Sequence, residues 1–391
     1  MSETIIITDP ETDRYHTFGY ISWWKQEVVR QATVLVVGAG ALGNEVLKNL
    51  ALMGIGRILI ADFDTIEDSN LSRSILFRHK DNGRRKVDAA ADAVKEINPD
   101  VQIMPWHGDI NYELGLGVFR HVDVVIGCLD NREARLSINR FCWNVGQTWV
   151  DGAIQELMGI VRVFRPGVGA CYECTLTDVD YQIINLRYSC PLLARENLLQ
   201  GKVPTTPTSA SIVAAFQTQE ALKILHNLEI QPGKALMING LTNDIYLTEY
   251  PVKAACMSHS RYEPIEELPD VRSDQTTLAD LLARARARVG PEAVLELGAE
   301  IVVSLTCPHC ATDTPVFKRM ARLYEQEALC PTCGERRDLN LTNRITGGEN
   351  YLDRTPAEID MPPLSIVRAR QGDQRVYLEL TGDRETFFQF R

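Results

Sequence analysis

TVLVVGAGALGNEVLKNLALM, residues 33–53, places a buried strand, a glycine-rich turn and an amphipathic helix in direct succession. Its first five residues, Thr33–Val37, form a continuous apolar run, which is typical of a strand covered on both faces of a sheet. Apolar residues then recur at helical spacing from Val46 to Leu52, and glycines follow directly. The stretch therefore predicts the first strand–turn–helix unit of an α/β fold.

Strand and helix patterns continue to alternate as far as residue 144. The predicted strands and helices are RILIAD (57–62), RRKVDAAADAVKEI (84–97), VQIMP (101–105), DVVIGC (123–128) and NREARLSINRFCWN (131–144). Such alternation predicts a doubly wound, mostly parallel, Rossmann-like sheet with helices on both faces.

The pattern changes after Asp151, and two further regions follow. Before a polar linker at 262–275, the sequence predicts a strand (159–165), a tight turn (170–178), an irregular functional loop (181–208), a helix (211–227) and two strands (235–239 and 244–250). After the linker it predicts a helix (277–289), a zinc-ribbon module and a last strand pair (376–380 and 385–390). The predicted domains are 1–262 and a small C-terminal domain, 263–391.

The overall composition is that of an ordinary globular protein. The chain has 391 residues, of which 45% are hydrophobic and 24% charged, enough for two domains. No apolar run approaches the ~20 residues that a membrane span needs, and the N-terminus lacks a basic signal-peptide start. The net charge of -11 argues against a nucleic-acid partner. We expect a cytoplasmic protein with no membrane partner.

A nucleotide-binding turn is predicted at Gly38-x-Gly40-x-x-Gly43. Glycines let the backbone approach phosphates, and a helix N-terminus offers N–H groups to an anion. Asp62 ends the next strand, about 20 residues downstream, where a carboxylate grips a ribose hydroxyl. These features alone fit an NAD-dependent dehydrogenase as well as they fit an enzyme that uses ATP.

Charged and polar residues at the carboxyl ends of the strands favour ATP chemistry instead. They are Asp64, Asn70, Arg73, Lys86 and Asp130. The cationic side chains can neutralise the negative charge that moves onto pyrophosphate as it leaves ATP. The carboxylate of Asp130 can bind Mg²⁺. No GxxxxGK[ST] loop occurs, which excludes the P-loop class.

Six of the ten cysteines form three CxxC pairs. In a cytosolic chain, such pairs indicate zinc rather than disulfides. Cys307, Cys310, Cys330 and Cys333 have zinc-ribbon spacing, with 19 residues between the two pairs, and four thiolates predict a closed structural site. Cys171 and Cys174 supply half of another site.

Residues 30–140 closely resemble the ThiF/MoeB/HesA superfamily, which includes the activating enzymes of ubiquitin and its relatives. The matching text is GAGALGNEVLKNLAL, DFDTIEDSNLSR, GRRKVDAAADAVKEINP and LDNREARLSIN, and a looser likeness extends to about His259. The resemblance implies ATP-dependent adenylation of the C-terminal glycine carboxylate of a ubiquitin-like protein.

The resemblance also assigns roles to individual residues. It implies that Gly38, Gly40 and Gly43 shape the phosphate turn, that Asp62 holds the ribose, that Asn70, Arg73 and Lys86 contact phosphates, and that Asp130 serves the magnesium ion. Arg14 is similar to an N-terminal arginine that reaches the ATP of the partner subunit, which implies a homodimer. One departure is Ser74, where the family usually has glutamine.

The first CxxC pair and Cys190 are interpreted through the same resemblance, whereas Cys128 and Cys142 are interpreted from the apolar strand and helix in which they lie. Family adenylyltransferases complete the first zinc site with a second CxxC, and the matching stretch here supplies Cys256 and His259, giving a Cys₃His set. Cys128 and Cys142 are predicted to be small core residues. Cys190 lies in the 181–208 loop, where ubiquitin-type enzymes carry the thiol that forms a thioester.

Three functions remain open at this point. The leading one is a ubiquitin-like activating enzyme that passes its carrier through Cys190 to a conjugating enzyme, with the C-terminal extension as a docking surface. Its single-chain design suggests a bacterial pathway, with antiviral defence as one such role. The alternatives are a sulfur-carrier adenylyltransferase for thiamin, molybdopterin or cysteine synthesis, and a non-catalytic scaffold.

Overall fold

A computed structural model of the chain describes residues 13–182 and 204–391. One sheet is built from β1 Thr33–Val37, β2 Arg57–Asp62, β3 Gln102–His107, β4 Val124–Gly127, β5 Trp149–Gln155, β6 Met158–Phe164, β7 Lys234–Asn239 and β8 Asp244–Glu249. A second sheet is built from β9 Ile265–Glu267, β10 Val294–Thr306, β11 Asp313–Arg319, β12 Asp338–Ile345, β13 Ile366–Gln371 and β14 Gln374–Glu379.

The helices alternate with the strands of the first sheet and are sparse in the second. They are α1 Gln26–Gln31, α2 Ala41–Met53, α3 Lys86–Ile97, α4 Ile110–Glu113, α5 Leu116–Arg120, α6 Arg132–Val145, α7 Tyr172–Thr175, α8 Pro207–Leu225, α9 Leu278–Val289 and α10 Arg384–Phe387. No helix within 13–182 or 204–391 is long and apolar enough to cross a membrane.

The first sheet has eight strands in the order β3-β2-β1-β4-β5-β6-β7-β8. Its first five strands are parallel and the last three pair antiparallel. Helices α2, α3 and α8 pack on one face, and α5 and α6 pack on the other. The predicted α/β class and parallel arrangement are confirmed, and an antiparallel extension is added to them.

The ends of the helices follow local sequence signals. Helix α2 begins directly after Gly40 and ends directly before Gly54, whose φ of 74° is left-handed. The side chain of Asn131 accepts a hydrogen bond from the N–H of Ala134 and so begins α6. Both helices thereby start at the edge of the sheet where β1 and β4 end.

The second sheet has six strands, and α9 packs on one of its faces. Contacts also join it to the first sheet. Glu379 of β14 is fully buried and pairs with Arg120 and His121, at 2.6 and 2.7 Å. Phe387 packs in the same cluster as α5 and α6. The boundary at residues 262 and 263 stays a prediction.

Three sequence predictions after residue 151 are wrong or need adjustment. The supposed linker contains β9, which pairs in parallel with β14. Residues 385–390 do not form a strand, because Arg384–Phe387 is a helical turn whose Phe387 ring packs on Trp106. The predicted tight turn at 170–178 contains the short helix α7. Most of the predicted 181–208 loop, including Cys190, lies outside the described residues.

Candidate functional site

The predicted phosphate turn follows β1 and requires glycine at two of its three positions. Gly38 has a φ of 97°, and a Cβ there would lie 2.3 Å from the carbonyl oxygen of Cys128. A Cβ at Gly43 would lie 2.0 Å from the carbonyl oxygen of Gly38. Around Gly40, by contrast, no heavy atom of the described residues beyond Gly40 and its two chain neighbours lies within 4 Å of the Cβ position. The turn is thus tightly folded against β4 and open at Gly40, beside the N-terminus of α2.

Asp62, at the end of β2, is tied to this turn. Its carboxylate accepts hydrogen bonds from the N–H groups of Ala39 and Asp64, both at 2.7 Å. Burial raises the pKa of Asp62, while Lys86 and the two N–H donors oppose the rise. A carboxylate has further lone pairs, so Asp62 can still accept from a ribose hydroxyl.

Lys86 and Asp64 form an ion pair at the same edge of the sheet. The Nζ of Lys86 lies 2.7 Å from Asp64 Oδ2, and the backbone N–H of Lys86 donates to the carbonyl of Asp64 at 3.0 Å. The Lys86 side chain is nearly buried, whereas the Asp64 side chain is half exposed. Because an ammonium has three donors, Lys86 can hold Asp64 and still meet a phosphate oxygen.

Asn70 and Arg73 lie in the loop between β2 and α3. Arg73 donates from Nη1 to the carbonyl of Ser69 at 2.7 Å, and Asn70 Oδ1 accepts from the N–H of Glu67 at 3.1 Å. Each side chain is partly exposed. A guanidinium has five donors, so Arg73 retains several for an anion. Ser74, where the family usually has glutamine, is buried.

Asp130 follows β4 and is exposed. Its Oδ1 accepts from Asn131 Nδ2 at 3.3 Å. The carbonyl of Cys128 lies against Gly38, which puts the Asp130 loop beside the phosphate turn. One carboxylate together with phosphate oxygens and waters is a donor set that fits Mg²⁺.

Asn44 is a residue of this site that the sequence did not single out. It is fully buried in α2, and its Nδ2 donates to the carbonyls of Ala39 and Gly40 at 2.8 and 3.0 Å. Its Oδ1 accepts from the N–H of Leu76 at 2.8 Å. One amide therefore ties the phosphate turn to the loop that carries Arg73. An asparagine in the first turn of a helix was the only available signal.

Replacing Asn44 with alanine is expected to weaken ATP binding about tenfold and to destabilise the fold by about 2 kcal/mol, because the N–H of Leu76 and the carbonyl of Ala39 lose their partner. Nucleotide titration and thermal unfolding would measure both effects. Asn49→Ala, at a half-buried position of the same helix, is the matched control and should change neither. Equal ATP affinity in Asn44→Ala and wild type would contradict the role.

Arg14 lies away from the nucleotide site of its own chain. Its Nη1 donates to the carbonyl of Ile97 at 3.2 Å. Ile97 ends α3 and Lys86 begins it, so the two ends are about 16 Å apart along the helix axis. The predicted phosphate contact of Arg14 is therefore not made within one chain in this structure.

The first cysteine cluster brings together four residues that are distant in sequence. The Sγ of Cys171 lies 3.5 Å from that of Cys256, and the Sγ of Cys174 lies 3.4 Å from His259 Nε2. All four potential ligand atoms lie within 4.8 Å of one another. The ring of His259 stacks on Trp143 at 4.6 Å. This Cys₃His set has the composition and compactness of a tetrahedral zinc site.

The second cluster lies at the end of β10. Cys307 and Cys310 lie in the hairpin between β10 and β11, and Cys330 and Cys333 lie in the connection between β11 and β12, which both pair with β10. The Sγ atoms of Cys307 and Cys333 are 3.6 Å apart, and all four lie within 4.8 Å of one another. Four thiols at these distances fit one zinc ion.

The other described cysteines are core residues, as predicted. Cys128 and Cys142 are buried, and burial raises the pKa of both thiols. A protonated, enclosed thiol is a poor nucleophile. Neither is therefore suited to covalent catalysis.

Comparison with known proteins agrees with this geometry. The ThiF family model matches residues 13–258. Ubiquitin-like modifier-activating enzyme 5 of Dictyostelium discoideum is 34% identical over 213 residues, covering 51% of this chain and 54% of that protein. The enzyme of the same name from Xenopus laevis is 30% identical over 318 residues, covering 72% of this chain and 78% of that protein.

Among solved structures, E. coli MccB with ATP has the same fold over much of the chain. The TM-score is 0.54 at 21% identity, covering 65% of this chain and 75% of that one. The chain spans about half the length of the Dictyostelium relative. The family match covers the phosphate turn and the three cysteines of the first cluster, and it ends one residue before His259. On this match, the chain belongs to the ThiF family.

Proposed function

We propose that this chain uses ATP to adenylate the C-terminal carboxylate of a ubiquitin-like protein. The observation that carries the proposal is the joining of Asp62, Asp64 and Lys86 to an open glycine turn at the carboxyl edge of a parallel sheet. Ligands of open α/β sheets bind at this edge. The names of the relatives support a ubiquitin-like substrate.

The chemistry needs alignment and charge neutralisation rather than a general base. A carboxylate is already ionised near pH 7 and attacks the α-phosphorus of ATP. The bond to the bridging oxygen breaks, which gives an acyl-adenylate and pyrophosphate. Lys86 and Arg73 would neutralise the charge that develops on the leaving pyrophosphate. Mg²⁺, held by Asp130 and phosphate oxygens, would add to this neutralisation.

A second step would move the acyl group to Cys190, whose thiolate attacks the acyl carbon and releases AMP. Support comes from the ends of the surrounding segment. Tyr181 donates to Glu173 at 3.0 Å, and the carbonyl of Pro204 accepts from the N–H of Glu156 at 2.7 Å. These contacts hold described residues on either side of Cys190 in the sequence, Tyr181 against α7 and Pro204 against the residue that follows β5. A conjugating-enzyme-like protein would then accept the carrier.

The test uses ubiquitin-like proteins that end in glycine and are encoded beside this chain's gene. ATP–pyrophosphate exchange that depends on such a carrier is expected, and its absence with every carrier would leave the scaffold alternative. With Cys190→Ser, exchange should persist while the thiol-labile adduct on a non-reducing gel disappears. A thiocarboxylate product without any adduct would favour the sulfur-carrier alternative. An adduct that survives in Cys190→Ser would exclude this cysteine as the nucleophile.

Two structural zinc ions are part of the same proposal. One would bind the cluster of Cys171, Cys174, Cys256 and His259, and the other the four cysteines of the ribbon. Buried Glu173, between the first pair, accepts from Ser258, between Cys256 and His259. This hydrogen bond joins the two halves of the first cluster and orients its ligands.

A homodimer would bring Arg14 to the ATP of the partner subunit. Support comes from the position of Arg14 and from exposed apolar side chains close to it in sequence, among them Tyr20, Ile21 and Trp23. Sedimentation analysis is expected to give the mass of two chains, and a single-chain mass at working concentration would contradict the dimer.

A cytoplasmic location and partner docking by residues 263–391 complete the proposal.

A further inference from the structure

A buried charge cluster lies directly behind the Asp130 loop. Asp151 of β5 is fully buried and pairs with two arginines, Arg135 of α6 and Arg162 of β6. The Nε of each arginine lies 3.0 Å from one carboxylate oxygen of Asp151. Both arginine side chains are about nine-tenths buried.

Such a cluster is weak evidence for stability. Removing three charged groups from water costs several kcal/mol per ion, and well-packed apolar residues would often serve stability equally well. Two guanidiniums also share one carboxylate, which leaves a surplus positive charge in the interior. The cluster therefore calls for a role beyond packing.

Of the two arginines, only Arg135 contacts the Asp130 loop. The Nη2 of Arg135 donates to the carbonyl of Leu129, the residue directly before Asp130, and also to the carbonyl of Gly152 at 3.1 Å. Arg162 instead lies over the rings of Phe164 and Tyr172. Arg135 thus joins the Asp130 loop to β5, while Asp151 fixes the direction of its guanidinium.

A guanidinium suits this task better than an ammonium. Its donors point outward from one rigid plane, so a single group can meet Asp151 with Nε and two carbonyls with Nη2. A lysine at this position retains the charge but has one flexible donor centre. Such a lysine could pair with Asp151 or donate to the Asp130 loop. It would not hold Asp151, the loop and β5 in fixed positions relative to one another.

We propose that Arg135 is a positioning residue for the magnesium ion of the nucleotide site, acting through the backbone of the Asp130 loop. Asp130 is exposed and its carboxylate has only the long hydrogen bond from Asn131 among its described contacts. Its place must therefore be set by its backbone, which Arg135 holds at Leu129. The inference rests on the proposed ATP site.

The test measures metal binding rather than turnover. The probe is the non-hydrolysable analogue AMP-PNP, titrated at a series of Mg²⁺ concentrations, with bound Mn²⁺ followed by electron paramagnetic resonance. In Arg135→Lys, the metal concentration for half-maximal binding is expected to rise about tenfold, as for other changes behind metal ligands. The affinity of Arg135→Lys for AMP-PNP without metal should stay within about twofold of the wild-type affinity.

Arg162→Lys is the matched control, because it alters the other arginine of the same buried cluster, which does not contact Leu129. It should shift the metal dependence by less than about twofold. In an Asp130→Asn background, the Arg135→Lys effect should vanish, since neighbours that act through one group are not additive. If Arg135→Lys does not fold, Arg135→Gln, with one amide donor, is expected to show the same metal shift.

The outcomes separate this inference from the proposed function. Wild-type protein that binds no nucleotide would overturn both. Normal wild-type binding with an unchanged metal dependence in Arg135→Lys would overturn the positioning role alone. So would an equal shift in Arg162→Lys, or an Arg135→Lys effect that persists in Asp130→Asn, since either would assign the effect to general packing.

Discussion

Replacing Lys86 with alanine is expected to slow carrier-dependent ATP–pyrophosphate exchange about 100- to 1000-fold. A preorganised cation that meets charge developing in the transition state contributes on this scale. Lys86 is preorganised in two ways, because it begins α3 at the edge of the sheet and its Nζ is held 2.7 Å from Asp64. A solvent cation cannot take its place without reorganisation.

The control for Lys86 is on the same helix. Lys95 is partly exposed near the end of α3 and donates to the carbonyl of Pro99. Lys95→Ala removes the same charge about 13 Å away along the helix, and its exchange rate should stay within about twofold of wild type. A Lys86→Ala rate within tenfold of wild type would show that another group neutralises the phosphates. Arg73→Ala would then be the next variant to measure.

The parts of this site that could be predicted from sequence are those with local signals. The glycine turn, Asp62 and Lys86 each stand next to an element end, and parallel strands bring such ends to one edge. The structure joins these residues through Asp64 and the backbone of Ala39. No knowledge of distant contacts was needed to place them together.

The parts that could not be predicted depend on partners far along the chain. Asn44 meets Leu76, and Arg135 meets Asp151 and Gly152, across a sheet whose register the sequence does not state. A polar residue inside a helix gives no sign of which loop it will hold. The aromatic residues at 385–390 show the opposite case. Their propensity predicts a strand, but Phe387 packs on Trp106 from a helical turn instead.

The second cysteine cluster should control the structure of the segment between β10 and β12 without controlling nucleotide binding. In the double variant Cys307→Ser, Cys330→Ser, zinc content is expected to fall from two ions per chain to one. Limited proteolysis should then cut between residues 307 and 337, at sites that are protected in wild type. The AMP-PNP affinity should stay within about twofold of the wild-type affinity, because the candidate nucleotide-binding residues lie at the edge of the first sheet.

The physical reason is the small size of the core around this cluster. Its buried members are Val302, Leu305, Leu323 and Ala328. Burial of the three larger side chains contributes only about 1.5–3 kcal/mol each. Chain ordering opposes that gain at about 1–2 kcal/mol per residue. Structural zinc contributes about 10 kcal/mol or more in comparable small modules, so folding there should depend on the metal.

His309→Ala is the matched control for this zinc prediction. His309 lies between Cys307 and Cys310 and is exposed, and its ring is near Cys310 Sγ at 3.9 Å. If the four thiolates are the ligands, His309→Ala keeps both zinc ions and the protease resistance. Loss of zinc in His309→Ala would make the imidazole a ligand in place of a thiolate. Full protection of the segment between β10 and β12 in the zinc-depleted double variant would instead mean that packing on β10 suffices, and the metal would then have no structural role there.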